Sequence, residues 1–181
     1  MTQASVSRAR LATVWLDGCS GCHMSLLDLD ELLLELAPRI EVVFGPLVDV
    51  QAFPSAVDLT LVEGAVSSES DLRLAQTLRA NSRVVVALGD CAVTSNVPSL
   101  RNPIAVRALL DRVYVQGADF SPGVPSEGVP ALFSRVVPLH EVITVDVHVP
   151  GCPPKPSAIG QVVLQLLSGK RPELFGIVRF G

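Results

Sequence analysis

Aromatic residues are scarce in this 181-residue chain, which has one tryptophan, one tyrosine and six phenylalanines. No basic run accompanies them, and the formal net charge is −4 with an isoelectric point near 5.3. A nucleic-acid surface needs clustered Lys and Arg beside stacking aromatics, so that function class is excluded. Charge of either sign is also thin, at 18% of residues, against about a quarter in an ordinary soluble domain. Apolar residues make up 49% and the mean hydropathy is +0.45, which rules out disorder as a general description. A chain of this length cannot bury so much apolar surface by itself. The composition therefore predicts a partner that covers part of it.

Long hydrophobic runs are missing as well. No stretch reaches the roughly 18–20 apolar residues needed to cross a bilayer. Two arginines lie in residues 1–10, but the apolar segment Leu11–Leu16 is too short for a signal peptide and ends at Asp17. There is no twin-arginine pair, no internal repeat and no low-complexity segment. The expected compartment is the cytoplasm, where thiols stay reduced and an isolated structural disulfide is not expected.

What the chain does contain is an alternation of short apolar runs and helical patterns. Leu11–Leu16 reads as a buried strand, apolar at nearly every position. Residues 24–37 read as one helix, with Leu26, Leu29, Leu33 and Leu36 at helical spacing and Pro38 as its stop. Strands follow at Ile40–Phe44, Asp58–Val62 and Arg83–Leu88, with a helix at Glu69–Ala80 capped by Ser67 or Ser68. Asn102–Val113 reads as a helix with Pro103 in its first turn. Residues 117–130 are a Gly- and Pro-rich loop, and residues 92–135 hold no clear strand. A last strand, Glu141–Val149, and a last helix, from Pro156 to about Leu167 and ended by Gly169, complete the pattern. The fold class is α/β, a doubly wound, mostly parallel sheet of flavodoxin-like type.

Only four cysteines are present, and each is expected just past a strand end: Cys19 and Cys22 after the first, Cys91 after Arg83–Leu88, Cys152 after Glu141–Val149. In an open parallel sheet those ends share one edge, where ligands bind. Cys19 and Cys22 alone would suit a dithiol redox site or half a zinc site. A dithiol enzyme would leave Cys91 and Cys152 idle, and a zinc ribbon would need a second close pair. The 2+1+1 pattern fits a cuboidal [4Fe–4S] cluster, each iron taking one thiolate. Gly18, Gly21, Gly89 and Gly151 allow close backbone approach and N–H contacts to sulfides. Buried, inert cysteines are the bland alternative, but every one of these sits in a Gly- or Pro-containing turn.

The motifs Gly18-Cys19-Ser20-Gly21-Cys22, Val62-Glu63-Gly64-Ala65, Gly89-Asp90-Cys91-Ala92 and Gly151-Cys152-Pro153-Pro154 stand in the order found in small subunits of [NiFe] hydrogenases. The resemblance covers residue 11 to about residue 170. It implies that Cys19, Cys22, Cys91 and Cys152 hold the proximal [4Fe–4S] cluster. It also implies that Glu63 lies near that cluster, at the contact with a large subunit carrying the Ni–Fe centre, with a role in proton movement or subunit contact. Longer members of the family carry a C-terminal domain with cysteines for further clusters, and none follows Cys152 here. The chain thus resembles the short small subunit of soluble NAD(P)-reducing hydrogenases of the bidirectional, cytoplasmic type. In those, a diaphorase module with FMN and more iron–sulfur clusters exchanges the electrons.

On that resemblance, residues 1–181 are expected to form a single flavodoxin-like [4Fe–4S] domain. Its role would be electron transfer within a hydrogen:NAD(P)+ oxidoreductase, with no catalytic residue of its own. The alternatives are a complex I-like iron–sulfur subunit, a ferredoxin- or F420-linked soluble hydrogenase small subunit, and a structural zinc module. The complex I homologue typically has adjacent cysteines where this chain has Cys19-Ser20-Gly21-Cys22. FMN on this chain is allowed by the fold class but supported by no phosphate-cradling loop. Among the remaining residues, His23 reads as a helix-start residue, Asp90 as a turn residue and His148 as a sheet histidine close to Cys152. Glu63 reads equally well as a structural hydrogen-bonding group, and Trp15 and Tyr114 read as packing residues.

Overall fold

The computed structural model describes residues 8–181. Five parallel strands form the central sheet: β1 (Ala9–Trp15), β2 (Ile40–Phe44), β3 (Val57–Glu63), β5 (Ser82–Leu88) and β7 (Val147–Val149), in the order β2-β1-β3-β5-β7. With the two accessory strands β4 (Val66–Ser68) and β6 (Leu132–Val137) set aside, this is the flavodoxin-like order, and its direction of winding reverses between β1 and β3. The doubly wound α/β sheet expected from the sequence is present.

Helices cover both faces. On one side α1 (Gly21–Leu27), α2 (Glu31–Leu36) and α6 (Pro156–Leu167) cover the sheet, and Leu36, Ile159 and Val163, with Leu29 between α1 and α2, pack onto its Leu59, Leu61, Val86 and Leu88. On the other, α3 (Glu69–Asn81) and α4 (Asp90–Thr94) contribute Ala75, Leu78, Ala92 and Val93 against Val14, Val62, Val85 and Ala87. Residues apolar on both faces of a strand are what a sheet sandwiched between helices requires. Ser68 caps α3, its hydroxyl accepting the Asp71 N–H at 3.3 Å.

The structure corrects four expectations. The helix foreseen over residues 24–37 is broken at Asp28–Asp30, with Asp30 at φ 49°. Aspartate favours local turns over helix interiors and tolerates the left-handed region. Residues 102–105 are not helical: the helix there begins at Val106, with α5 (Val106–Asp111) running on into a π-helical stretch at Arg112–Gln116. The Asn102 amide instead pairs with the Val136 main chain, donating to its O at 3.0 Å and accepting from its N at 2.8 Å. That bond helps hold β6, a strand missed because Ser134 and Arg135 interrupt its apolar run. β6 pairs antiparallel with β4, which is too short for any periodicity to show. Finally, only Val147–Val149 of the foreseen last strand enters the sheet.

Asp146 explains that late start. Its Oδ2 accepts the Val85 N–H at 2.7 Å, so a side chain takes the rung that main chain would otherwise supply. The same oxygen accepts from Arg79 Nη1 at 2.7 Å. We expect Asp146→Ala, which strips both donors, to lower the unfolding free energy by about 1–3 kcal/mol, read by urea denaturation. An unchanged midpoint would show that water replaces the rung at no cost.

Candidate metal centre

The carboxyl ends of β1, β3, β5 and β7 lie side by side, and each hands its chain to a tight turn. Past β1, the Leu16 N–H bonds Glu63 O at 2.8 Å, and Asp17 and Ala65 exchange main-chain bonds at 3.1 and 2.7 Å. Gly64, at φ +96°, is pressed on Leu16 and Asp17 so closely that a Cβ would stand 2.7 Å from the Leu16 carbonyl carbon. These contacts lay the Gly18–Cys22 turn over the end of β3. There the Gly21 N–H points at Cys19 Sγ at 3.4 Å, and Cys22 enters the first turn of α1, buried.

Past β5, the Gly89 N–H bonds Val149 O at 2.8 Å and the Asp90 N–H bonds Gly151 O at 2.9 Å, so the Cys91 turn and the Cys152 turn are zipped together. Asp90 returns the bond: its Oδ1 accepts the Gly151 N–H at 2.6 Å, and its Oδ2 accepts the Gly181 N–H at 2.8 Å. This carboxylate is 4% exposed, and it ties the β5 end, the β7 end and Gly181 into one unit. Sequence reasoning took Asp90 for a turn residue, and its clasp across 91 positions left no local signal. The Ser25 hydroxyl donates to Pro154 O, also buried, which locks α1 onto the Cys152 turn.

The cysteines meet at this junction. A Cβ on Gly89, itself at φ +85°, would overlap Cys22 Sγ, so only glycine lets the β5 turn pass beside that thiol. Cys22 feels the charge of Cys91, Cys19 and Cys152, and Cys91 feels Cys152 and Cys19. All four thiols foreseen from the sequence therefore share one neighbourhood. Their exposure differs: Cys22 is buried, Cys91 is half-buried, and Cys19 and Cys152 reach solvent.

Glu63, 1% exposed at the end of β3, is the buried acid of the site. Its Oε2 accepts the His23 main-chain N–H at 2.9 Å and meets His23 Nδ1 at 2.5 Å. The structural hydrogen-bond reading of Glu63 holds, and His23 lies in the first turns of α1 as expected. The sequence did not show that the two form a pair, because 40 residues separate them. His23 Nε2 is buried and makes no hydrogen bond. His148 sits on β7 with its ring edge-on to His140 at 5.8 Å, and burial together with His140 holds its pKa below the usual value. Trp15 and Tyr114, expected to pack, are half exposed instead. Trp15 is the last residue of β1, and its Nε1 donates to Gly18 O at 3.1 Å.

Soft thiolate donors in glycine turns suit iron–sulfur or zinc chemistry. Among the described residues, no group of three or more His, Cys, Asp or Glu side chains is gathered tightly enough for a single metal ion. Four thiolates on one zinc would stand about 3.8 Å apart, given Zn–S near 2.3 Å in a tetrahedron. Four cysteine thiolates are also the donor set of a cuboidal iron–sulfur cluster, one to each iron.

Fold and site together define a flavodoxin-like α/β fold that carries four thiols at the carboxyl edge of its sheet. The chain belongs to the family described as NADH ubiquinone oxidoreductase, 20 kDa subunit, whose model matches residues 19–166. It is 40% identical over 167 residues to a subunit of the F420-non-reducing hydrogenase vhu of Methanocaldococcus jannaschii, covering 91% of this chain and 58% of that one. It is 34% identical over 168 residues to the delta subunit of the NAD-reducing hydrogenase HoxS of Cupriavidus necator, covering 90% of this chain and 80% of that one. Among solved structures, one chain of an NAD+-reducing [NiFe]-hydrogenase in the H2-reduced state superposes with a TM-score of 0.92 at 35% identity, over 97% of this chain and 100% of that one. The resemblance to hydrogenase small subunits is borne out. The chain spans under three fifths of the length of the F420-non-reducing relatives.

Burial, followed by the charge of Glu63 and then of the other thiols, pushes Cys22 well above the ordinary thiol range, and burial followed by Cys152 and Cys19 raises Cys91 from 9.0 to about 11. A raised pKa means that the folded, metal-free chain holds the Cys91 proton where the unfolded chain releases it. The stabilisation is thus complete below pH 9.0 and is lost as pH climbs towards about 11. We expect the stability difference between metal-free chain and its Cys91→Ala variant to drift in that window, read by denaturant titrations at several pH values. A pH-independent difference would contradict the raised pKa.

Proposed function

We propose that this chain is the electron-transfer small subunit of a cytoplasmic NAD(P)-reducing [NiFe] hydrogenase, working as one flavodoxin-like domain. Cys19, Cys22, Cys91 and Cys152 would hold a single [4Fe–4S] cluster, which when bound supplies one-electron transfer. The observation that carries this reading is the gathering of four thiols from three strand ends at the edge where β1 and β3 diverge, in a chain of this family. The NAD(P) assignment is supported by the superposition with a chain of the NAD+-reducing enzyme. An F420-non-reducing type is the second reading, favoured by the higher identity to those relatives.

The chain's own residues have three tasks in this role. The turn glycines admit the backbone and its N–H donors close to the sulfur atoms, which favours the more reduced form. Burial of Cys22 in the core, with Leu88 and Val149 in the same apolar cluster, keeps water from one side. Glu63 and His23 fix α1 against the end of β3, which holds Cys22 in place beside Gly89. No bond-making group is needed here, since hydrogen would be split at the Ni–Fe centre of a large subunit and electrons passed on to a diaphorase module.

Trp15, Met24, Leu27, Val42 and Leu47 are exposed around a cavity of about 400 Å³ next to the Cys19 turn. This apolar face suits a permanent subunit contact. Among the described residues, no helix is long and apolar enough to cross a membrane.

Anaerobically purified chain should contain about four irons and four labile sulfides and give an EPR signal on reduction. Cys22→Ala and Cys91→Ala should each lose both. Stoichiometric zinc with no iron would overturn the cluster assignment. The intact complex should reduce NAD+ or NADP+ with hydrogen, and failure with both would favour the F420-non-reducing reading.

A further inference from the structure

The two exposed cysteines look out on different surroundings. Cys19 belongs to the turn whose Ser20 lines the apolar side just described. Cys152 forms one wall of a groove of about 490 Å³, closed on the other side by the segment Gly176–Gly181. That segment is held by the buried Asp90, whose Oδ2 accepts the Gly181 N–H. A Cβ on Gly181 would stand 2.8 Å from Cys152 Cβ, so the strap touches the cysteine itself.

Charge separates the two sides further. Residues 155–181 carry Lys155, Lys170, Arg171 and Arg179 against Glu173 alone, in a chain whose net charge is −4. Lys155 and Arg179 line the groove, both exposed, and no acidic side chain lines it. Asp90, the acid closest to this edge, is buried with both oxygens already bonded to Gly151 and Gly181. Phe180 is 60% exposed on the groove wall, and Phe175 just before it is fully exposed. Exposed aromatics within a cationic rim are the composition of a protein-docking surface. A single-signed rim steers an oppositely charged partner and sets its orientation.

We propose that the groove beside Cys152 is the docking site for an acidic surface of the protein that exchanges electrons with this chain, with Lys155 and Arg179 as its cationic rim. The inference rests on the cluster reading above. It adds which of the two exposed cysteines faces the exchange partner, and what chemistry that partner presents. One electron crosses per encounter, from the reduced cluster to the partner or back, and no bond is made.

Two experiments on the full-length chain test this, with Lys155→Glu/Arg179→Glu against a control, Arg39→Glu/Arg83→Glu, that carries the same charge change at the opposite end of the sheet. In metal-free chain, the ratio of alkylation rates by anionic iodoacetate and neutral iodoacetamide reports the potential at each thiol. It should be higher at Cys152 than at Cys19, and should fall at Cys152 only in the groove variant. In cluster-loaded, reduced chain, the probes are ferricyanide and hexaammineruthenium(III), followed by stopped flow. The groove variant should slow the first and speed the second, shifting their rate ratio by at least about tenfold at low ionic strength. The shift should collapse in high salt, and the control should leave the ratio unchanged. Equal effects of the two double variants, or none, in a chain that contains its iron would overturn the docking site while sparing the cluster reading. A chain without iron would sink the cluster reading, and its alkylation ratios would still decide the groove's charge.

Discussion

Three turns of chain meet at the carboxyl edge of this sheet so closely that side chains are excluded from the junction. Gly89 passes where a methyl group would strike Cys22, Gly64 lies on the carbonyls of Leu16 and Asp17, and Gly151 rests on Pro154. Each of these glycines has positive φ, a conformation that costs other residues roughly 1–3 kcal/mol. The contacts hold one another in place. Moving the β5 turn outward to admit a Cβ would break the Asp90–Gly151 pair of bonds, and with it the placement of Cys91 against Cys152. The site is therefore not attached to a finished fold. Its geometry is the way the strands end.

Two buried carboxylates make the packing possible from opposite sides. Asp90 holds the β5 and β7 turns together, and Glu63 holds α1 to the end of β3. A buried carboxylate without partners would be costly, but each accepts at least two donors here, which offsets the loss of water. Their positions follow from the topology. Both stand at or just past the end of a central strand, where main-chain N–H groups of neighbouring turns point inward with no strand to pair with. An apolar residue at either place would leave those donors unsatisfied, at about 1–3 kcal/mol each.

Much of this was legible in the sequence, for definable reasons. A buried strand such as β5 announces itself by the unbroken apolar run Val84–Leu88, and the cysteines announce the sheet edge because each lies in a glycine or proline turn. Capping by Ser68 and the start of α6 at Pro156 are local events and were read locally. What escaped depends on partners far along the chain. Asn102 stays out of the helix because its amide meets Val136, Asp146 replaces a strand rung on Val85, and Glu63 finds His23. The half exposure of Trp15 was invisible for a related reason: strand periodicity says which face a residue takes, and not how fully that face is covered.

Charge explains why such an edge is stable without metal and, on the proposed reading, how it would take one up. Four thiolates beside a buried carboxylate would repel one another strongly in a medium that screens poorly. The fold answers by burying Cys22 and half-burying Cys91 among the other thiols, which keeps their protons on in the metal-free chain. The energetic conflict is thereby deferred to the moment when a cation arrives, and metal binding must release those protons. Cys19 and Cys152, at the solvent-facing rim, complete the set without the same burial. On the proposed reading the edge folds first and takes up its metal later, with the protons of Cys22 and Cys91 released only when the counter-charge is present.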